Sequence, residues 1–132
     1  MINLAEGESN QILLLAPNLL GESLATQLNN AETDLKIILR KEDLTRNPCL
    51  VIWSIDNIEV PSAIQIELRH LQNYWRPSPV LLLLPARVRL KTNEYLQFDC
   101  PGLLQDPDLK TLVEAIRTLR GGGRVVRLKD QD

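Results

Sequence analysis

Short runs that are apolar at every position alternate along the chain with stretches whose apolar residues recur every three or four positions. A continuous apolar run fits a strand covered on both faces, whereas a stripe repeating near 3.6 residues fits a helix with one buried side. Residues 12–16 (Ile-Leu-Leu-Leu-Ala) form the first run and stop at Pro17-Asn18, which predicts a strand. Leu20, Leu24 and Leu28 then recur at i, i+4, i+8 up to Asn29-Asn30, which predicts a helix. Residues 35–39 predict a second strand, and the polar stretch 41–48 after it is too short for a helix with its turns. The second crossover is therefore abbreviated. Residues 49–53 (Cys-Leu-Val-Ile-Trp), β-branched and aromatic, predict the central strand.

Between residues 60 and 75 the positions Val60, Ile64, Leu68, Leu71 and Trp75 follow helical spacing, with Pro61 suited to a first turn. Pro79 and Pro85 bracket an unbroken Val-Leu-Leu-Leu-Leu run and set the ends of a fourth strand, because neither donates a ladder hydrogen bond. Residues 87–99, with Leu90, Tyr95 and Phe98, read as a short irregular helix, and residues 102–104 as a short fifth strand. Asp108 occupies an N-cap position. Behind it, Leu109, Leu112, Val113, Ile116 and Leu119 trace the stripe of a last helix that stops at Gly121-Gly122-Gly123. Strands alternating with helices require parallel pairing through right-handed crossovers. The expected fold is α/β, a three-layer, doubly wound, five-stranded parallel sheet of flavodoxin-like, receiver-like order with a shortened second crossover. Residues 1–128 are expected to form one such domain, with the Val-Val-Arg-Leu patch at 125–128 as a final extension or the start of a linker. Residues 129–132 are a charged tail or part of that linker.

Composition narrows the function more than the fold. A chain of 132 residues has the length of one ordinary domain, and 44% hydrophobic with 24% charged residues supports a real core. Fifteen Lys and Arg against seventeen Asp and Glu give a net charge of −2 and a pI near 5.4, so direct binding to nucleic acid by this domain is not expected. No apolar run approaches the roughly 20 residues of a membrane span, and the acidic opening lacks the basic start of a secretory signal. A cytoplasmic protein without membrane contact is expected. Cys49 and Cys100 have neither metal-ligand spacing nor a C-x-x-C arrangement and read as inert thiols.

The order of elements, the runs PCLVIWS and VLLLLPA, and the phrase GLLQDPDLKTLVEAIRTLRGGGRVV together resemble response-regulator receiver domains, most like those fused to LuxR-type helix-turn-helix domains. The resemblance covers about residues 11–127 and is one of order, spacing and the last helix. The chain is also similar to a family of cyanobacterial and plastid proteins whose amino-terminal part is a degenerate receiver. A working receiver implies acidic residues after strand one and a phospho-accepting Asp after strand three, which together hold Mg²⁺. It also implies a hydroxyl after strand four and a Lys after strand five. On this resemblance the acidic pair falls on Ala16 and Pro17, the acceptor on Ser54, the hydroxyl on Leu84 or Pro85, and the Lys on Gln105. Every chemical position departs, which implies a pseudo-receiver with no catalytic residue, no metal site and no cofactor. Receivers of this class contact a partner or a second copy through the fourth helix, fifth strand and fifth helix. The implied interface residues here are Leu103, Arg117 and Arg120.

Other residues carry weaker chemistry. Ser54 suits a satisfied small polar residue better than a target of another kinase. Asp56, Glu59 and Asp106 serve as turn formers and helix starts more readily than as cation ligands. His70 lacks a neighbouring Cys or second His, so a solvent-facing or packed role is expected. The three glycines end a helix where phosphate cradles begin one, and so read as a C-cap or hinge. Arginines at 87, 89, 117, 120, 124 and 127 read as a solvated face, and Tyr74 with Trp75 as the finish of a core. A flavodoxin-like binder of a small ligand or cofactor is the competing function. Pro17 and Pro85 count against it, because they remove backbone donors from the loops that would hold a phosphate.

Overall fold

The computed structural model describes residues 10–16, 18–31, 34–55, 61–86 and 98–128. Along them run β1 (Gln11–Leu15), α1 (Asn18–Ala31), β2 (Lys36–Ile38), a 3-10 turn (Lys41–Asp43), β3 (Leu50–Ser54) and α2 (Pro61–Tyr74). Then come β4 (Val80–Leu84), β5 (Gly102–Gln105), α3 (Leu109–Arg120) and β6 (Val125–Arg127). Residues 87–97 of the expected irregular helix and the tail at 129–132 lie outside the described residues. The second crossover is abbreviated as the spacing implies, with one 3-10 turn in place of a helix.

All neighbouring strands are parallel, in the order β2-β1-β3-β4-β5-β6. The sheet therefore has six strands where five were expected. The Val-Val-Arg patch is not only an extension, because it pairs with β5, Val126 standing level with Leu103. Three residues give too short a pattern to separate an edge strand from a linker.

Successive strand residues point to opposite faces, so each apolar run feeds two cores. Ile12, Leu14, Leu50, Ile52, Leu81, Leu83 and Leu104 pack on one face with Ala25 and Leu28 of α1 and with Leu112, Ile116 and Leu119 of α3. Leu13, Val51, Val80, Leu82, Leu84 and Leu103 pack on the other with Ile64 and Leu68 of α2 and with Phe98 and Cys100. Trp75 joins this second core at its margin, whereas Tyr74 is 66% exposed and does not finish a core. The two rings meet edge-on, with centroids 4.8 Å apart.

Placing the helices by face exposes an asymmetry in the crossovers. The step β1-α1-β2 moves one way across the sheet with its helix on the first face; β3-α2-β4 moves the other way with its helix on the second. These two reversals cancel, so both crossovers have the same hand. The step β5-α3-β6 moves in the direction of β3-α2-β4 while its helix lies on the first face, and so has the opposite hand. Since roughly 98% of such connections are right-handed, β6 is attached by a left-handed one. Its cause is the place of α3, whose apolar stripe packs beside α1, and Gly102 lets the last turn close on β5. A Cβ at Gly102 would stand 2.7 Å from Leu119 Cδ1 and 2.8 Å from Leu81 Cδ1. From there the chain turns back in a Schellman arrangement. Gly123 N–H donates to Thr118 O (2.9 Å), Gly122 N–H donates to Leu119 O (3.1 Å), and Gly122 sits at φ 89°, where a side chain is strained.

At the amino edge, Gln11 holds the abbreviated crossover in place. Its side chain is buried, its Nε2 donates to Thr45 Oγ1 (3.0 Å), and its Oε1 accepts from the N–H groups of Thr45 (3.1 Å) and Arg46 (3.2 Å). Its carbonyl accepts from Cys49 N–H (2.8 Å). Two backbone N–H groups of a loop without a helix are thus satisfied by one amide side chain.

Candidate functional site

Parallel strands end together, so one edge of the sheet gathers the residues that follow β1, β3, β4 and β5. Leu15 stands level with Trp53, Ser54 with Leu83, and Leu84 with Gln105. The register therefore brings Ala16, Ser54, Leu84, Pro85 and Gln105 to one edge, as their spacing in the sequence implies. Pro17, Asp56 and Glu59 lie outside the described residues. A cavity of about 260 Å³ opens there, lined by Ser54, Leu83, Pro85, Asp106 and Leu112 among others. Among the described residues, its side chains with oxygen are Ser54 and Asp106.

Gln105 is 5% exposed, and its Nε2 donates to Pro85 O at 3.2 Å. A neutral amide thus bridges the ends of β4 and β5. Asp106 follows with φ 45°, a left-handed conformation that Asp tolerates, and its N–H donates to Leu84 O at 2.8 Å. Asp108 closes the turn as N-cap of α3, its Oδ1 accepting from Thr111 N–H at 2.8 Å. Of the candidate carboxylates Asp56, Glu59 and Asp106, Asp106 is the one among the described residues, and it lies on the cavity; Asp108 serves the helix end. Among the described residues no three His, Cys, Asp or Glu side chains come together to hold a metal ion.

The remaining candidates stand apart. His70 is exposed on α2, with Nδ1 3.8 Å from Glu67 Oε1, and lines a different cavity from Ser54. Ser54 has no imidazole in its cavity, because the chain's one histidine is His70 on α2, and the carboxylate that Ser54 shares the cavity with is Asp106. Both cysteines are free thiols. Burial pushes the Cys100 thiol up to about 11, against smaller lowering by backbone hydrogen bonds, and its single S–H has two acceptors in reach, Gly102 O (2.9 Å from Sγ) and Val80 O (3.1 Å). Burial raises Cys49 too, opposed by Arg120 beside it. Thiols held protonated are poor nucleophiles.

Of the expected interface residues, Arg117 and Arg120 are exposed on α3. Leu103 is not available: it is 2% exposed, its side chain points into the second core, and β6 covers its strand on the outer edge. Arg87 and Arg89 lie outside the described residues. Two features escaped the sequence reading. One is a cavity of about 310 Å³ beside α2, lined by Leu13, Leu15, Lys41, Leu71 and Tyr74, where the second crossover lacks a helix. The other is a cavity of about 440 Å³ between β5, β6 and the start of α3, which Arg127 shares with Gln105, Asp106 and Asp108. The abbreviated crossover signals the first; nothing in the sequence signals the second before β6 is known.

No protein-family model and no curated protein matches the sequence. Among solved structures, the chain is similar to the response regulator ChrA of a heme-sensing two-component system, at 18% identity and a TM-score of 0.64. The match covers 89% of this chain and 59% of that one, so the chain spans less than two thirds of the length of its structural neighbour. At this identity the likeness shows the fold: a flavodoxin-like, receiver-like α/β sheet. No helix among the described residues is long and apolar enough to cross a membrane.

Proposed function

We propose that this domain is a cytoplasmic signal-transduction module that keeps the shape of a receiver and works by contact with a protein partner, without aspartyl phosphorylation. The observation that carries the reading is the chemistry of the carboxyl edge. Where a receiver gathers carboxylates, a hydroxyl and a lysine, this chain gathers Ala16, Ser54, Leu84, Pro85 and Gln105, none of them charged. Phosphoryl transfer depends on neutralising charge on the transferred group, and a neutral amide bonded to Pro85 O supplies no such charge. Among the described residues Asp106 gives this cavity one carboxylate, and a magnesium site is built from several oxygens. Function then resides on the surface, and the exposure of Arg117 and Arg120 supports a partner contact on the side of the last helix. The domain neither catalyses a reaction nor binds nucleic acid directly in this reading.

Incubation with acetyl phosphate and Mg²⁺, followed by intact-mass spectrometry, tests it. No acid-labile phosphate adduct is expected. An adduct that requires Mg²⁺ overturns the proposal, as does an adduct on Ser54→Asp alone, which would reveal a working acid pocket.

A further inference from the structure

Strand β6 ends the sheet, and among the described residues nothing pairs with its outer edge. Val125 N–H donates inward to Pro101 O at 2.9 Å, so by the alternation of a parallel strand the N–H and C=O of Val126 point outward. The Val126 side chain is itself 50% exposed. An edge of this kind is a template for another strand unless charge or shape blunts it. Here the blunting charges carried by β6 and the segment leading to it have one sign, with Asp106 and Asp108 on the cavity that Arg127 also lines. From Ala115 to Leu128 the charged residues are Arg117, Arg120, Arg124 and Arg127, all exposed, with no carboxylate among them, in a chain whose net charge is −2.

We infer that the outer edge of β6 receives an extended, acidic segment of a protein partner, added to the sheet as a seventh strand. The inference rests on the reading of the domain as an interaction module and names its surface. Backbone groups of Val126 supply the ladder bonds, and the flanking arginines select carboxylates over cations. A second copy of this chain is the wrong occupant. Antiparallel pairing of two β6 strands about Val126 crowds Arg124 and Arg127 of both copies into one short ladder, and like charges there are destabilising. The left-handed attachment fits this use: a margin strand outside the packed crossovers has a face and an edge left for a partner.

The test titrates the ¹⁵N-labelled domain with a capped peptide of alternating glutamate and valine, and with its lysine-valine counterpart. The expected result is a saturable shift of amide signals at 124–128 and slowed exchange of the Val126 amide with the glutamate peptide alone. Val126→Pro removes an N–H that the fold leaves outward, so the variant folds with an unchanged melting temperature and loses binding. Arg127→Glu weakens the glutamate peptide and admits the lysine one. The inference is overturned by no saturable shift at millimolar peptide, by equal response to both peptides, or by binding that survives Val126→Pro. It is also overturned by a dimer in light scattering that Val126→Pro dissolves, or by duplex DNA giving the same shifts. Shifts confined to another surface overturn the edge and leave the interaction-module reading standing, whereas a phosphoryl adduct removes that reading whatever the peptide does.

Discussion

Strands β4 and β6 lie two places apart in the same sheet and are held in different ways. All five residues of β4 are buried, it pairs with β3 on one side and β5 on the other, and α2 and α3 cover its two faces. The three residues of β6 are half-buried or exposed, pair on one side only, and hang from a crossover of the opposite hand. The contrast separates two sources of structure. For β4 the residues themselves carry the instruction, since five apolar side chains have no other place to go. For β6 the instruction lies in its surroundings: the end point of α3, the glycine turn and the open side of β5.

If that contrast is right, damage should be severe where it reaches the middle of the sheet and slight at β6. Ile116 is fully buried against the middle strands, so Ile116→Ala should cost about 2 to 4 kcal/mol in urea unfolding, and an unmoved midpoint would mean that α3 is not docked. Next in size is an alkaline effect at the start of β5. The Cys100 thiol, pushed up to about 11 from an ordinary 9.0, keeps its proton in the folded chain after the unfolded chain has lost it. Stability should therefore be fully present below pH 9 and fall by roughly 2 to 3 kcal/mol as pH rises through 11. Cys100→Ala should flatten that limb relative to the parent, and identical slopes in the two proteins would refute the assignment.

A smaller effect is expected where α3 leaves the carboxyl edge. Asp108→Ala removes the N-cap bond to Thr111 N–H and should cost about 1 kcal/mol, read as a lowered melting temperature. The smallest belongs to β6. Val126→Thr, on a half-exposed side chain, should stay within about 0.5 kcal/mol of the parent. Hydrogen exchange sharpens the comparison further: amides of β4 should exchange only with global unfolding, and Arg127 should exchange well before them. Equal protection of the two strands would make β6 an integral part of the core.

The carboxyl edge and the β6 margin also differ in how far each was legible beforehand. Ala16, Ser54, Leu84, Pro85 and Gln105 are spaced so that strand ends place them together, and their lack of charge is visible in the residue types alone. The Gln105 bond to Pro85 O was not visible, because a side-chain amide and a carbonyl so far apart in the chain meet only once β4 and β5 are in register. The same holds for Gln11 and the loop at 44–49, whose contacts cross from β1 to the abbreviated crossover.

By itself the sequence determined five of the strands, the three described helices, the caps of the last one and the short second crossover, for one physical reason. Apolar periodicity and turn chemistry are local, and doubly buried strands leave an unbroken apolar signature. The receiver-like order follows from that list, because parallel strands joined by crossovers have few arrangements. Only the tertiary structure decided that residues 125–127 pair with β5, that α3 lies on the first face and so gives β6 its left-handed attachment, that Leu103 is buried, and that Tyr74 is exposed. Each of these depends on which edge or face a segment reaches after the core has formed, and a three-residue strand or a single side chain carries too little pattern to fix that in advance.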